Sequence, residues 1–110
     1  METRTYIPVA DIYERAQDYL LVAELPGVDK DRLSIETEKN ILKITGTPAF
    51  DSGEWKPVYR EFEEDYRFER SFVMGEDIDR EKIRAKIENG VLAVVLPKSE
   101  EAKPKKIQIQ

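Results

Sequence analysis

The fold is decided by residues 85–98, which read Ala85-Lys-Ile-Glu-Asn-Gly-Val-Leu-Ala-Val-Val-Leu-Pro-Lys98. Apolar and charged side chains alternate from residue 83 to residue 88, which is the period of a strand with one buried face. Asn89-Gly90 then supplies two residues that tolerate positive φ, as a two-residue type I′ hairpin turn requires. Residues 91–96 are apolar and rich in β-branched side chains. They predict a return strand that is covered on both faces and is ended by the proline that follows.

The same kind of pattern recurs along the whole chain and predicts an antiparallel β-sandwich, so the fold class is all-β. Further strands are predicted at 10–14, 18–25, 33–37, 41–45, 57–62 and 66–74. Turn residues separate the strands, among them Pro26-Gly27 and Lys39-Asn40. Seven or eight short strands without a helical period are typical of a sandwich. The connection formed by residues 47–65 is longer than an ordinary turn.

Composition limits the possible partners and the compartment. The chain has 110 residues, enough for one domain, and 40% of them are hydrophobic. Its net charge of −5 argues against a nucleic-acid partner, because nothing basic is large enough to neutralise phosphates. The N-terminal residues contain no long apolar run, so we expect neither a secretory signal nor a membrane anchor. The absence of cysteine fits a reducing cytosol, and a cytoplasmic location is predicted.

The sequence lacks the residues on which most enzyme chemistry depends. Histidine and cysteine are absent, which removes the usual general base, thiol nucleophile and soft metal ligands. No glycine-rich loop follows a strand to hold a nucleotide phosphate. Asp77 and Asp79 could in principle act as a carboxylate pair in glycoside cleavage, but solvated loop charges explain them better. We predict a protein that is not an enzyme, with no cofactor and no bound metal.

Three motifs in register resemble those of one known family, the small heat-shock proteins with an alpha-crystallin domain. They are Leu25-Pro26-Gly27-Val28, then Ala85-x-x-x-Asn89-Gly90-Val91-Leu92 with Leu96-Pro97-Lys98 after it, and Ile107-x-Ile109 near the end. The resemblance covers residues 7 to 109. It implies an immunoglobulin-like sandwich and an ATP-independent holdase that keeps partly unfolded proteins from aggregating. It divides the chain into a short arm (1–6), the alpha-crystallin domain (7–98) and a flexible extension (99–110).

The resemblance also implies a groove and a hook that fits it. The groove would lie between two edge strands and be lined by Leu33, Ile35, Ile83, Ala85 and Ile87. The hook would be formed by Ile107 and Ile109, on a tether of at most ~30 Å from residue 98 to 106, which is enough to reach a neighbouring subunit. Plain core residues and a disordered tail are the alternative explanations.

In bacterial and plant members of the family, a strand in the long connection pairs with the first strand of a partner and forms a swapped dimer. That strand would carry Trp55, Val58, Tyr59 and Phe62, and the receiving edge would carry Val9, Asp11, Ile12 and Tyr13. Arg70 matches the family's arginine and would pair with an acidic group across the interface. The alternatives are a hairpin that folds back on its own sheet and an ordinary surface cation.

The sequence differs from the family pattern at the N-terminus, where barely nine residues precede the first predicted strand. Family members usually carry a longer apolar arm, so large cages and strong client binding are less expected here. The resemblance thus predicts a homodimer, larger oligomers linked by tails, and unfolded client proteins as partners. A p23-like sandwich adaptor that binds one dedicated partner is the main alternative. Those domains lack the long loop and the terminal isoleucines.

Overall fold

The computed structural model describes residues 4–49, 54–56, 58–59 and 66–110, and these form two stacked four-stranded sheets. The strands are β1 (Arg4–Tyr6), β2 (Ala10–Glu14), β3 (Asp18–Glu24), β4 (Leu33–Glu38), β5 (Ile41–Gly46), β6 (Tyr66–Val73), β7 (Arg84–Glu88) and β8 (Val91–Pro97). The first sheet has the order β1-β6-β5-β4 and the second has the order β2-β3-β8-β7. Every pairing is antiparallel except that of β1 with β6. Short 3-10 turns lie at Lys30–Arg32, Arg80–Lys82 and Glu100–Ala102.

The predicted hairpin turns are present at both positions. Asn89 and Gly90 have φ values of 53° and 75°, as a type I′ turn requires, and they join β7 to β8. A Cβ atom at Gly90 would lie 3.2 Å from both the Leu25 carbonyl oxygen and the Pro26 Cα. At the β4–β5 hairpin, Lys39 takes the positive φ, at 52°. These turns set the register of both hairpins.

The core lies between the sheets and is built by alternate residues of the central strands β3, β5 and β8. Its buried members are Leu21, Ala23, Leu25, Val28, Leu42, Ile44, Met74, Leu92, Val94 and Leu96. Because successive side chains of a strand point to opposite faces, each strand supplies every second residue to this core.

One expectation about β8 was wrong. The strand is covered on one face only, since Leu92, Val94 and Leu96 are buried whereas Val91 is exposed on the other face. Pro97 is the last residue of the strand, as expected; it pairs with Asp18, and its carbonyl accepts a hydrogen bond from the Asp79 amide at 2.8 Å. Proline has no N–H group to donate to the ladder, but its carbonyl oxygen can still accept a hydrogen bond.

The N-terminal segment forms a strand that the sequence analysis did not predict. β1 pairs in parallel with β6, with Arg4 opposite Tyr66 and Tyr6 opposite Phe68. The Tyr6 ring lies edge-on to the Tyr66 ring, with 5.5 Å between centroids. Three residues are too few to display a period, so no pattern could reveal β1. The strand predicted at 57–62 falls largely outside the described residues, and its described positions 58 and 59 are not in a strand.

Candidate functional site

One side of the sandwich, which we call the crossover flank, is closed by the chain itself. Residues 7–9 pass from β1 in the first sheet to β2 in the second sheet, and Pro8 in this passage is buried. The Arg70 guanidinium on β6 donates a hydrogen bond to the Pro8 carbonyl oxygen at 3.0 Å. This contact ties the two sheets together where β1 and β2 form their edges.

The opposite side is formed by the other two edge strands, β4 and β7, and we call it the open flank. Leu33 and Ile35 on β4 and Ile83 and Ile87 at β7 are half-buried and pack against the core. Ala85 lies in the middle of the β7 row and is exposed. The predicted groove residues thus occupy the inward rows of two edge strands. Such rows can accept an apolar side chain from another segment, and the free strand edges can accept its backbone.

A concavity of about 410 Å³ lies at one end of the open flank and extends the predicted groove. It is lined by residues 27–30, which lead towards β4, and by residues 87–90, which include the end of β7 and the hairpin turn. Val28 and Ile87 provide its apolar side chains. Sequence reasoning missed this end because turn residues form it, although Pro26-Gly27 had marked the turn.

The two isoleucines of the tail lie away from the domain. Ile107 and Ile109 are exposed by 84% and 92%. The tail therefore does not occupy the groove of its own chain, and both isoleucines are accessible to another surface.

The tail begins at a point that the domain holds firmly, a feature that the sequence analysis missed. The Lys98 ammonium lies 2.7 Å from a Glu14 carboxylate oxygen and 5.0 Å from the centroid of the Tyr19 ring. The Tyr19 hydroxyl donates to Asp77 at 2.6 Å. The Lys98 amide also donates to the Gln17 carbonyl oxygen at 2.9 Å. These contacts fix the direction in which the tail leaves β8.

These contacts shift the pKa values of Tyr19 and Glu14. The hydrogen bond to Asp77, with a smaller contribution from burial, raises the pKa of Tyr19 to about 12. The hydrogen bond from Lys98 and its positive charge lower the pKa of Glu14 below its usual value. At neutral pH the tyrosine is therefore a neutral donor, and Glu14 is a carboxylate paired with Lys98.

The predicted receiving edge is the outer strand of the second sheet. Val9, Ile12 and Tyr13 are exposed there, and Asp11 accepts a 3.5 Å hydrogen bond from the Tyr13 hydroxyl. The described residues of the predicted swap strand, Trp55, Val58 and Tyr59, are exposed as well. Phe62 lies outside the described residues. The predicted exchange between these two groups of residues requires a second chain and stays a prediction.

Arg70 is half-buried and makes two contacts within its own chain. Besides its hydrogen bond to Pro8, its guanidinium carbon lies 4.8 Å from the centroid of the Phe72 ring. Pairing of Arg70 with an acidic group of a second chain stays a prediction.

Among residues 4–49, 54–56, 58–59 and 66–110, no three histidine, cysteine or acidic residues are grouped so that they could hold a metal ion. In the same ranges no helix is long and apolar enough to cross a membrane.

Comparison with known proteins agrees with this architecture. Residues 11–110 match the profile of the Hsp20/alpha crystallin family. The chain is 35% identical over 103 residues to small heat shock protein C4 of Rickettsia felis, and this match covers 93% of the chain. It is 30% identical over 105 residues to spore protein SP21 of Stigmatella aurantiaca, a match that covers 94% of the chain. The chain spans 63% and 62% of the lengths of these two relatives.

The solved structure of a small heat-shock protein from Xylella fastidiosa has a similar fold. It superimposes with a TM-score of 0.73 at 30% identity, over 96% of this chain and 97% of that one. That protein's crystal structure reveals a distinct high order structure.

Proposed function

The chain belongs to the Hsp20/alpha crystallin family, and we propose that it is an ATP-independent chaperone that binds partly unfolded proteins and prevents their aggregation. The observation that carries this proposal is the open flank, where two edge strands present half-buried apolar rows on the same side of the sandwich. Unfolded chains expose apolar side chains and unpaired backbone groups together, and the open flank has partners for both.

The groove residues support binding that does not depend on a particular client sequence. Leu33, Ile35 and Ile87 offer apolar surface without a charged group among them. Hydrophobic contact is not directional, so many different apolar segments can satisfy it. Binding of this kind needs no bound nucleotide, because no step consumes chemical energy.

The tail isoleucines would compete with clients for the same groove. Burial of each isoleucine is worth about 1.5–3 kcal/mol before ordering costs, so one tail docks weakly and reversibly on a neighbouring copy. Several such tails together would link copies into oligomers that still exchange subunits. Release of the tails on heating would then expose the grooves to clients.

The basic unit would be a dimer in which a strand from residues 55–62 of one chain pairs with β2 of the other. Support comes from the exposed apolar side chains on β2 and in the described part of the long connection. An exposed edge strand is a liability unless it is paired, and exchange would pair it. The absence of cysteine is consistent with a cytoplasmic location.

The test is the heat-induced aggregation of a model client, such as citrate synthase, followed by light scattering without ATP. We expect the wild-type chain to suppress scattering. Ala85→Glu should lose most of this effect, because it places a charge in the middle of the groove. Ser71→Glu is the matched control, since it adds the same charge at an exposed position on the outer face of the first sheet.

Unchanged scattering with the wild-type chain would overturn the chaperone proposal. Equal loss of aggregation suppression in both variants would indicate that clients bind outside the groove. Recovery of one stoichiometric partner, with no effect on denatured clients, would favour the adaptor function instead.

A further inference from the structure

The two outer faces of the sandwich differ in chemistry. On the first sheet the outer face is polar, with Lys43 and Arg67 both paired to Glu69 at 2.8 and 3.4 Å. On the second sheet the outer face carries an apolar patch, which consists of Tyr13, Leu20, Val22, Val91, Ala93 and Val95. Tyr13, Leu20 and Val91 are exposed by 57%, 37% and 44%. This patch is the reason that β8 has the sequence of a strand covered on both faces.

Charged residues border the apolar patch on both sides, with Asp11 on β2 and with Arg84, Lys86 and Glu88 on β7. Lys86 lies 3.6 Å from Glu88 on its own strand and would exchange this exposed partner for Asp11 of a second copy. Glu24 and Glu88 lie in the row of Val91, at the end of the patch. The strand register places Asp11, Val22, Ala93 and Lys86 in one row across the sheet. Asp11 is on β2 and Lys86 is on β7, so the acidic and basic ends of this row are separated by three strand spacings, about 14 Å. In the next row, Tyr13 and Arg84 occupy the corresponding ends.

From this arrangement we infer that the outer face of the second sheet docks onto the same face of a second copy of this chain. A two-fold axis parallel to the strands would bring Lys86 of one copy over Asp11 of the other, twice by symmetry. The same operation would bring Arg84 onto the Tyr13 ring, a favourable cation–π contact. The apolar side chains between them would pack face to face, as in aligned sheets.

The area of the patch limits the strength of the contact. Three strands and about five residues of length give roughly 200–300 Å² per copy. A stable interface needs about 800 Å² from each partner. The contact is therefore weak by itself and forms between copies that are at high concentration or are held together by another link. It does not depend on the proposed chaperone activity, because it requires no client.

Chemical cross-linking can test this contact, because the chain contains no cysteine. Ala93 lies beside the inferred axis, so the Ala93→Cys full-length chain should form covalent dimers with a short bis-maleimide. The matched control is Ser71→Cys, which is exposed on the outer face of the first sheet. Equal yields from the two variants, or no dimer from Ala93→Cys, would overturn the inference.

Charge exchange gives a second readout in the Ala93→Cys chain. Lys86→Asp places two acidic groups together at each end of the contact, and the cross-linking yield should fall about fivefold for two surface pairs. Addition of Asp11→Lys should restore the yield. The two-fold arrangement would be contradicted if Asp11→Lys did not restore the cross-linking yield, or if neither substitution changed it.

Discussion

The crossover flank and the open flank are both built from edge strands, but within the described residues only the crossover flank is sealed by its own chain. At the crossover flank, Pro8 is buried between the sheets and Arg70 donates to its carbonyl oxygen. At the open flank, the inward rows of β4 and β7 are half-buried against the core. The difference indicates that contacts at the first flank stabilise the fold, whereas apolar side chains at the second stay partly exposed, as the proposed client groove requires.

At the crossover flank, the largest expected effect on the free energy of unfolding is at Phe68. This side chain packs against the core and lies next to the Tyr6 and Tyr66 rings. Phe68→Ala should lower the free energy of unfolding by about 2–4 kcal/mol, below the top of the range for phenylalanine because the ring is half-buried. Urea denaturation measures the change, and Val73→Ala, at an exposed position of the same strand, is the control.

A smaller loss is expected at Arg70. Arg70→Met keeps the length of the side chain but removes its hydrogen bond to Pro8 and its stacking on Phe72. The cost should be about 1–2 kcal/mol. Arg67→Met, at an exposed arginine of the same strand, should cost less than about 0.5 kcal/mol. Equal costs would mean that the tie between the sheets contributes nothing to the closure of this flank.

Acidification should weaken the connection between the domain and its tail. Lys98 holds the pKa of Glu14 below its usual value of 4.5, so the pair stabilises the folded state fully above that pH. Its contribution is lost as the pH falls through the lowered pKa. Stability measured against pH should therefore decline more gently in Glu14→Gln below pH 4.5 than in wild type. An identical decline would show that this pair does not link protonation to folding.

The smallest expected effect on stability belongs to the tail. Ile107→Ser combined with Ile109→Ser should leave the free energy of unfolding unchanged, because both side chains are exposed. The same variant should lose assemblies larger than a dimer, as measured by analytical ultracentrifugation at micromolar concentration. A Gln108→Ser chain is the control, and the prediction fails if the assemblies of the double variant match those of the control.

The strands and turns could be predicted wherever a local pattern was long enough to be visible. The Asn89-Gly90 turn and the alternation of Ile83, Ala85 and Ile87 with charged neighbours depend on residues close in sequence. The structure confirms the turn and places this apolar row on the inner face of β7. β1 could not be predicted, since its three residues are stabilised by pairing with β6, some sixty residues away. The contacts that hold the start of the tail were missed for the same reason, because Lys98 pairs with Glu14 only after the sheet has formed.

The sequence by itself determined most of the strands, where the hairpins turn and which family the chain resembles, because periodicity and turn chemistry act over a few residues. Only the tertiary structure decided which edges are sealed and which are open, and that β8 is covered on one face alone. Burial is set by the neighbours that the fold brings together across long sequence distances. A run of apolar residues therefore indicates that its side chains favour burial. The arrangement of the sheets determines which of its two faces the chain itself buries.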